Sequence, residues 1–170
     1  MENHHINNHI CHNNHLRMER NHLGRIENEM PYCDNCENKC KNEHGGEVYV
    51  FNVEKAAHRN QNFRESVWTG NYLQMTLMSI PCAKSIGVEL HDDTDQYIRI
   101  EHGYALLLTG DNPNCLLNKK KLCKGDAVFI PAGVWHNVVN IGRCALKISS
   151  VYAPPHHPKC TLEKHNHCNF

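Results

Sequence analysis

Glu89 and His91 stand two residues apart in Gly87-Val88-Glu89-Leu90-His91, and Gln96 follows after a short polar segment; a second histidine, His136, closes Gly125-Asp126-Ala127-Val128-Phe129-Ile130-Pro131-Ala132-Gly133-Val134-Trp135-His136. Alternate residues of a strand share a face, so if residues 86 to 91 are extended, a carboxylate and an imidazole point to the same side. A turn through His91-Asp92-Asp93-Thr94 returns the chain alongside and sets Gln96 next to that pair, and His136 on a later strand brings a fourth donor. One carboxylate, two imidazoles and one carboxamide are hard-to-borderline donors suited to Zn, Mn, Fe, Ni or Co and unsuited to a copper thiolate centre. On an octahedral ion, four protein donors leave two positions for a ligand, as a catalytic site requires.

The elements that must position these donors read as short strands: Val48 to Val53, Tyr72 to Ile80, Ile86 to His91, Gln96 to Glu101, Ala105 to Thr109, Leu116 to Leu117, Ala127 to Ile130, Val134 to Val139 and Ala145 to Tyr152. Turn chemistry separates many of them, at Thr69-Gly70-Asn71, Gly110-Asp111-Asn112-Pro113, Lys124-Gly125-Asp126 and Asn140-Ile141-Gly142. Short strands without intervening helices predict an all-β antiparallel sandwich or barrel. Gly103, Gly125 and Gly133 are expected at turns with backbone angles closed to other residues, and Pro131 at a strand end.

Counting by alternation from Gln96, Ile98 and Ile100 face the cavity while Tyr97, Arg99 and Glu101 face away. That removes the nearest carboxylate as a general base and leaves the base unassigned. The same alternation turns the apolar Val88 and Leu90 away from the cavity. They need a cover, either an added strand such as Val48 to Val53 or a second subunit, and a homodimer is expected.

In their glycines, proline and donors, the two motifs resemble those of the cupin superfamily, over residues 47 to 158. The commonest cupin pattern has a His-x-His pair followed by Glu; here Glu89 stands for the first His and Gln96 for the Glu. Two His, one Glu and one Gln is also the set found in cupins of the phosphomannose isomerase type, with Glu and Gln exchanged in position. Asp95-Gln96-Tyr97-Ile98-Arg99-Ile100-Glu101 and Val151-Tyr152-Ala153-Pro154-Pro155 are similar to a branch of small single-domain cupins loosely linked to mannose-6-phosphate isomerase. The resemblance implies a double-stranded β-helix holding a divalent ion at Glu89, His91, Gln96 and His136.

Composition changes near residue 46. Residues 1–45, rich in His, Asn and Cys, have too little apolar periodicity to offset the entropy of ordering them, so a mostly flexible extension is expected there. Within it, Arg17 to Glu29 could form a short helix. A single cupin domain is expected over 46–160 and a flexible tail over 161–170. The chain's 170 residues suit one such domain.

Lys plus Arg equals Asp plus Glu, at 18 each, which removes the electrostatic argument for a nucleic acid or an anionic membrane as partner. No apolar run long enough to span a bilayer and no signal-like leader is visible, which leads to a cytoplasmic expectation and a small-molecule ligand. In a reducing compartment the ten cysteines are expected as thiols or metal ligands. Cys82, Cys115, Cys123 and Cys144 read as small buried hydrophobes. Cys33, Cys36 and Cys40 form half of a zinc-binding pattern that Cys11 or His44 could complete. His4, His5, His9, His12 and His15, like His165, His167 and Cys168, are too scattered to define a polyhedron.

Three functional classes follow. Metal-assisted isomerisation or epimerisation of a sugar or sugar phosphate uses the ion to acidify a carbon beside a carbonyl. A ferrous dioxygenase would use two histidines and one carboxylate with open positions. A non-catalytic cupin would use the ion only to hold a metabolite.

Overall fold

A computed structural model describes residues 40–166. These belong to a compact unit, Cys33–Phe170. The helix expected at Arg17–Glu29, together with Cys33 and Cys36, lies outside the described residues.

Among the described residues, one short helix and nine strands follow in order: α1 (Val53–Arg59), β1 (Arg64–Thr69), β2 (Gln74–Ile80), β3 (Asp95–His102), β4 (Tyr104–Gly110), β5 (Asn118–Cys123), β6 (Ala127–Ile130), β7 (Trp135–Asn140), β8 (Leu146–Ala153) and β9 (Leu162–Glu163). They form a six-stranded sheet, β6-β3-β8-β2-β1-β9, and a three-stranded sheet, β5-β4-β7, with every pair antiparallel. The expected all-β cupin-type sandwich is what forms. Its core joins the two sheets: Met78, Ile98, Ile100 and Ile148 from the larger meet Leu107 and Val138 from the smaller. Gly103, at φ +96, makes the turn by which the chain leaves β3 and enters the other sheet; that left-handed backbone, and not crowding, favours glycine there, since a Cβ would meet Leu146 at an ordinary 3.4 Å.

Several elements depart from expectation, each for a local reason. Val48–Val53 is not a strand. Asn52 accepts a hydrogen bond from the Lys55 amide at 2.8 Å and so caps α1, whose first turn carries Glu54 and whose last carries His58 and Arg59, charges that suit the helix dipole. Phe51, Val53 and Ala57 of this region cover Val67 and Leu77 on the far side of the large sheet. Val88 stays exposed and Leu90 half-buried.

Ile86–His91 is not a continuous strand either, because Gly87 sits at φ +100; isolated bridges Ser85↔Val139 and Glu89↔His136 remain. The edge strand β5 lies at 118–123, beyond the expected Leu116–Leu117, and its lysines are exposed, which protects an edge from further pairing. β1 was not expected: Arg64, Glu65 and Ser66 are buried polar residues and give no apolar alternation. Cys82, Cys115, Cys123 and Cys144 are exposed, not buried.

Residues at both flanks of the sandwich fasten onto β1. Cys40 is disulfide-bonded to Cys160, the His44 amide donates to Val67 O at 2.9 Å, and β9 pairs with β1 through Arg64↔Glu163 and Glu65↔Leu162. This disulfide overturns the expectation of Cys40 as a zinc ligand or free thiol, since a bonded sulfur has no thiolate to offer.

Candidate metal centre

The irregular segment after β2 runs against β7, and two reciprocal hydrogen bonds fix it there: Glu89 N to His136 O at 2.9 Å and His136 N to Glu89 O at 3.0 Å. Glu89 and His136 are therefore cross-strand neighbours although far apart in sequence. His91 is held one step further on, where its carbonyl accepts from the Gly133 amide at 2.8 Å; Gly133 adopts φ +80. β3 brings in Gln96 between its partners Ile130 on β6 and Tyr152 on β8.

The side chains converge. One donor atom from each of Glu89, His91 and His136 lies within 4.8 Å of the others, and Glu89 Oε2 stands 3.9 Å from Nε2 of both His91 and His136. Neighbours orient each donor. His136 Nδ1 is 2.9 Å from Val134 O, which places the proton on Nδ1 and a lone pair on Nε2. Arg64 Nη2 donates to Glu89 Oε1 at 2.9 Å, leaving Oε2 to face the histidines. Gln96 Nε2 donates to the Tyr152 hydroxyl at 3.1 Å, leaving Oε1, and the Gln96 side chain is near enough to His91 to influence its titration.

Glu89 Oε2, both ring nitrogens of His91, Gln96 Oε1 and His136 Nε2 are buried atoms with no hydrogen-bond partner. Each buried unpaired acceptor costs about 1–3 kcal/mol, so Glu89 Oε2, His136 Nε2 and the acceptor nitrogen of His91, grouped within 4.8 Å, need a common partner. A divalent cation would meet that need, taking lone pairs from the carboxylate, from one nitrogen of each imidazole and from the amide oxygen. Glu89, His91 and His136 thus fit the ion that the spacing suggests, and Gln96 Oε1 is left unpaired as a further donor.

Three features of the site escape sequence reasoning. Arg64 is buried and bridges two carboxylates, Glu89 at 2.9 Å and Glu163 at 3.2 Å; it lies on β1, whose polar text conceals a strand. Despite burial, which pulls it down, the charges of Glu89 and Glu163 hold its guanidinium above the ordinary range. Tyr152 is fully buried, and burial pushes its phenol up to about 12, so it stays neutral beside the donors. Alternation along the last strand could have placed Tyr152 there.

Beyond β8 the chain turns back through the cis Ala153–Pro154 bond. His156 then lies with its ring centroid 4.1 Å from that of His91, and His157 packs edge-on against Tyr152 at 4.9 Å. Burial, then the charges of His156, His136 and Arg64, push His91 down to about 4; burial and Arg64 push His157 down to about 3.

Glu101 is buried but on the side turned away from the donors, where it accepts from Ser149 Oγ at 2.7 Å and pairs with Arg99 at 2.6 Å. Ile98 and Ile100 are buried in the interior, as alternation requires.

Comparison with known proteins places this geometry in context. Residues 76–152 match the cupin domain family. The chain is 38% identical over 122 residues to the uncharacterized protein YrkC of Bacillus subtilis, a match covering 72% of this chain and 66% of that protein's length. It is similar to the crystal structure of BH2720 from Bacillus halodurans, with a TM-score of 0.71 and 42% identity over 72% of this chain and 93% of that one. An uncharacterized conserved protein with a double-stranded β-helix domain from Klebsiella pneumoniae shares the fold at a TM-score of 0.54 and 19% identity, covering 70% of this chain and 100% of the other.

Proposed function

The chain belongs to the cupin superfamily, and from that footing we propose that it is a metal-dependent isomerase or epimerase acting on a sugar or sugar phosphate. A divalent ion held by Glu89, His91, Gln96 and His136 would supply Lewis acidity toward a carbonyl and its neighbouring hydroxyl. The observation that carries the reading is His156. Its exposed ring lies over His91 at 4.1 Å, which puts a proton acceptor at the rim of the donor set.

In this reading His156 takes the proton from the hydroxyl-bearing carbon beside the carbonyl through a ring nitrogen and returns it to the former carbonyl carbon, while the hydroxyl proton passes to the former carbonyl oxygen. One C–H and one O–H bond break and one of each forms, so neither oxidant nor reductant is needed. Neutral Tyr152 fixes the amide of Gln96, and Arg64 fixes Glu89. Burial of His91, Gln96 and His136 restricts access of water to the Glu89 side. Because Glu89 is already paired with Arg64, the loaded site keeps positive charge and favours an anionic or polyhydroxylated ligand.

The test is metal analysis of natively purified protein, followed by incubation with phosphorylated hexoses in deuterated water. We expect zinc or manganese, interconversion of aldose and ketose, and deuterium at the carbon beside the carbonyl. His156→Ala should lower that exchange by about 10²–10⁴-fold with metal content unchanged. Metal-replete protein that exchanges no proton with any such substrate would overturn the isomerase reading. Ferrous iron with dioxygen consumption on catechols or diketones would instead assign the two-histidine, one-carboxylate set to oxygen chemistry, and a tightly held metabolite without turnover would indicate a binding protein.

A further inference from the structure

Arg64 raises a problem that its neighbour solves. A guanidinium beside a metal ligand orients the carboxylate, yet its charge repels the ion that the carboxylate must bind. Arg64 is 6% exposed, so water screens this repulsion poorly. Its Nη2 holds Glu89 at 2.9 Å, and its Nη1 meets Glu163 at 3.2 Å. Glu163 lies outside the matched cupin domain, which ends at residue 152, and reaches Arg64 because β9 pairs with β1 in a register that sets Arg64 opposite Glu163. The Ser66 amide, donating to Thr161 O at 2.9 Å, anchors the same strand pair.

We infer that Glu163 is a positioning residue for the metal centre, acting through Arg64 to hold Glu89 and to cancel the charge that would oppose the ion. Two effects then act in one direction. With Glu163 in place, the guanidinium is fixed between two carboxylates and presents Glu89 with Oε2 turned to the histidines. Without it, Arg64 is a buried cation with Glu89 as its remaining paired carboxylate, so it competes with the ion for that ligand. The strand that follows the cupin core thus completes the second layer of the site. This inference rests on the metal reading of Glu89, His91, Gln96 and His136.

The test measures cobalt(II) affinity of the full chain by competition with a chromophoric chelator, together with the visible absorption of the bound cobalt. Glu163→Gln keeps shape and removes charge; it should weaken cobalt binding about 10-fold, in the range known for groups that orient metal ligands. Glu163→Asp keeps the charge and should stay within about 3-fold of the parent chain.

The discriminating step is a double-mutant cycle. In an Arg64→Met background, Glu163→Gln should leave cobalt affinity unchanged, because the residue through which it acts is gone. A β9 strand that merely stabilised the fold would give the same loss in both backgrounds, and that result would overturn the inference. Parent-like affinity in Glu163→Gln would overturn it equally. Failure of the parent chain to bind cobalt would refute the metal reading itself, and the inference with it. Should Glu163→Gln fail to fold, the Arg64→Met/Glu163→Gln pair compared with Arg64→Met alone, and Glu163→Asp compared with the parent, decide the question.

Discussion

At the residue scale the donors are unequal. His91 and His136 are buried imidazoles with strong lone pairs, whereas Gln96 contributes a neutral amide oxygen, a weaker ligand. His91→Ala and His136→Ala should each remove nearly all bound metal, and Gln96→Ala should leave a substantial fraction, as read by elemental analysis of dialysed protein. Equal metal content in all three variants would refute the ligand assignment.

The metal-free protein should report on the same imidazole through pH. His91 sits at about 4 in the fold, where burial is the main cause, against an ordinary value near 6.5. The unfolded chain takes up its proton below about 6.5, and the folded chain only near 4, so stability is lost as pH falls across that window and levels off below it. Thermal melts of apo protein should therefore drop between about pH 6.5 and 4, and His91→Gln should lessen the drop, with His157 supplying a remaining part. An unchanged slope in that variant would contradict the depressed value.

Why some of these residues were legible and others not follows from their surroundings. Glu89, His91, Gln96 and His136 stand beside glycines and a proline whose spacing carries a pattern. Arg64 and Glu163 carry none, because their roles arise from a pairing between strands 99 positions apart. His156 lies in a Pro-rich segment whose path back over His91 is a property of the turn.

At the scale of elements, alternation read the central strands well: β2, β3, β4, β6, β7 and β8 lie close to where the apolar periodicity puts them. It failed where another signal decides. Val48–Val53 has strand composition, but the Asn52 cap and the Glu54 and Arg59 charges start and sustain α1. Asn52→Ala should cost about 1 kcal/mol of stability, measurable by denaturant titration, and an unaltered midpoint would show that packing alone fixes the helix. Ile86–His91 has strand alternation, but Gly87 at φ +100 breaks the ladder; Glu89 nonetheless keeps strand-like pairing with His136, which explains why the alternation argument still paired Glu89 with His91. β1 is the mirror case, a strand with polar text buried under other chain segments.

For the whole molecule, the two sheets form the cup, while the segments flanking it tie down the strand that carries Arg64. The Cys40–Cys160 disulfide spans a sequence separation of 120, a long loop whose closure restricts the unfolded chain. Cys160→Ser should lower unfolding free energy by about 2–4 kcal/mol, and reductant should produce the same loss in the parent chain; insensitivity to both would show that these flanks contribute little. Among the described residues, no helix is long and apolar enough to cross a membrane.

The central claim is that four side chains from three separate stretches of the chain meet around one cation. Anomalous diffraction from crystals of metal-loaded protein tests it most directly. The account predicts a single strong peak bounded by Glu89 Oε2, His91, Gln96 Oε1 and His136 Nε2; a metal-loaded crystal with no peak among those atoms would contradict it.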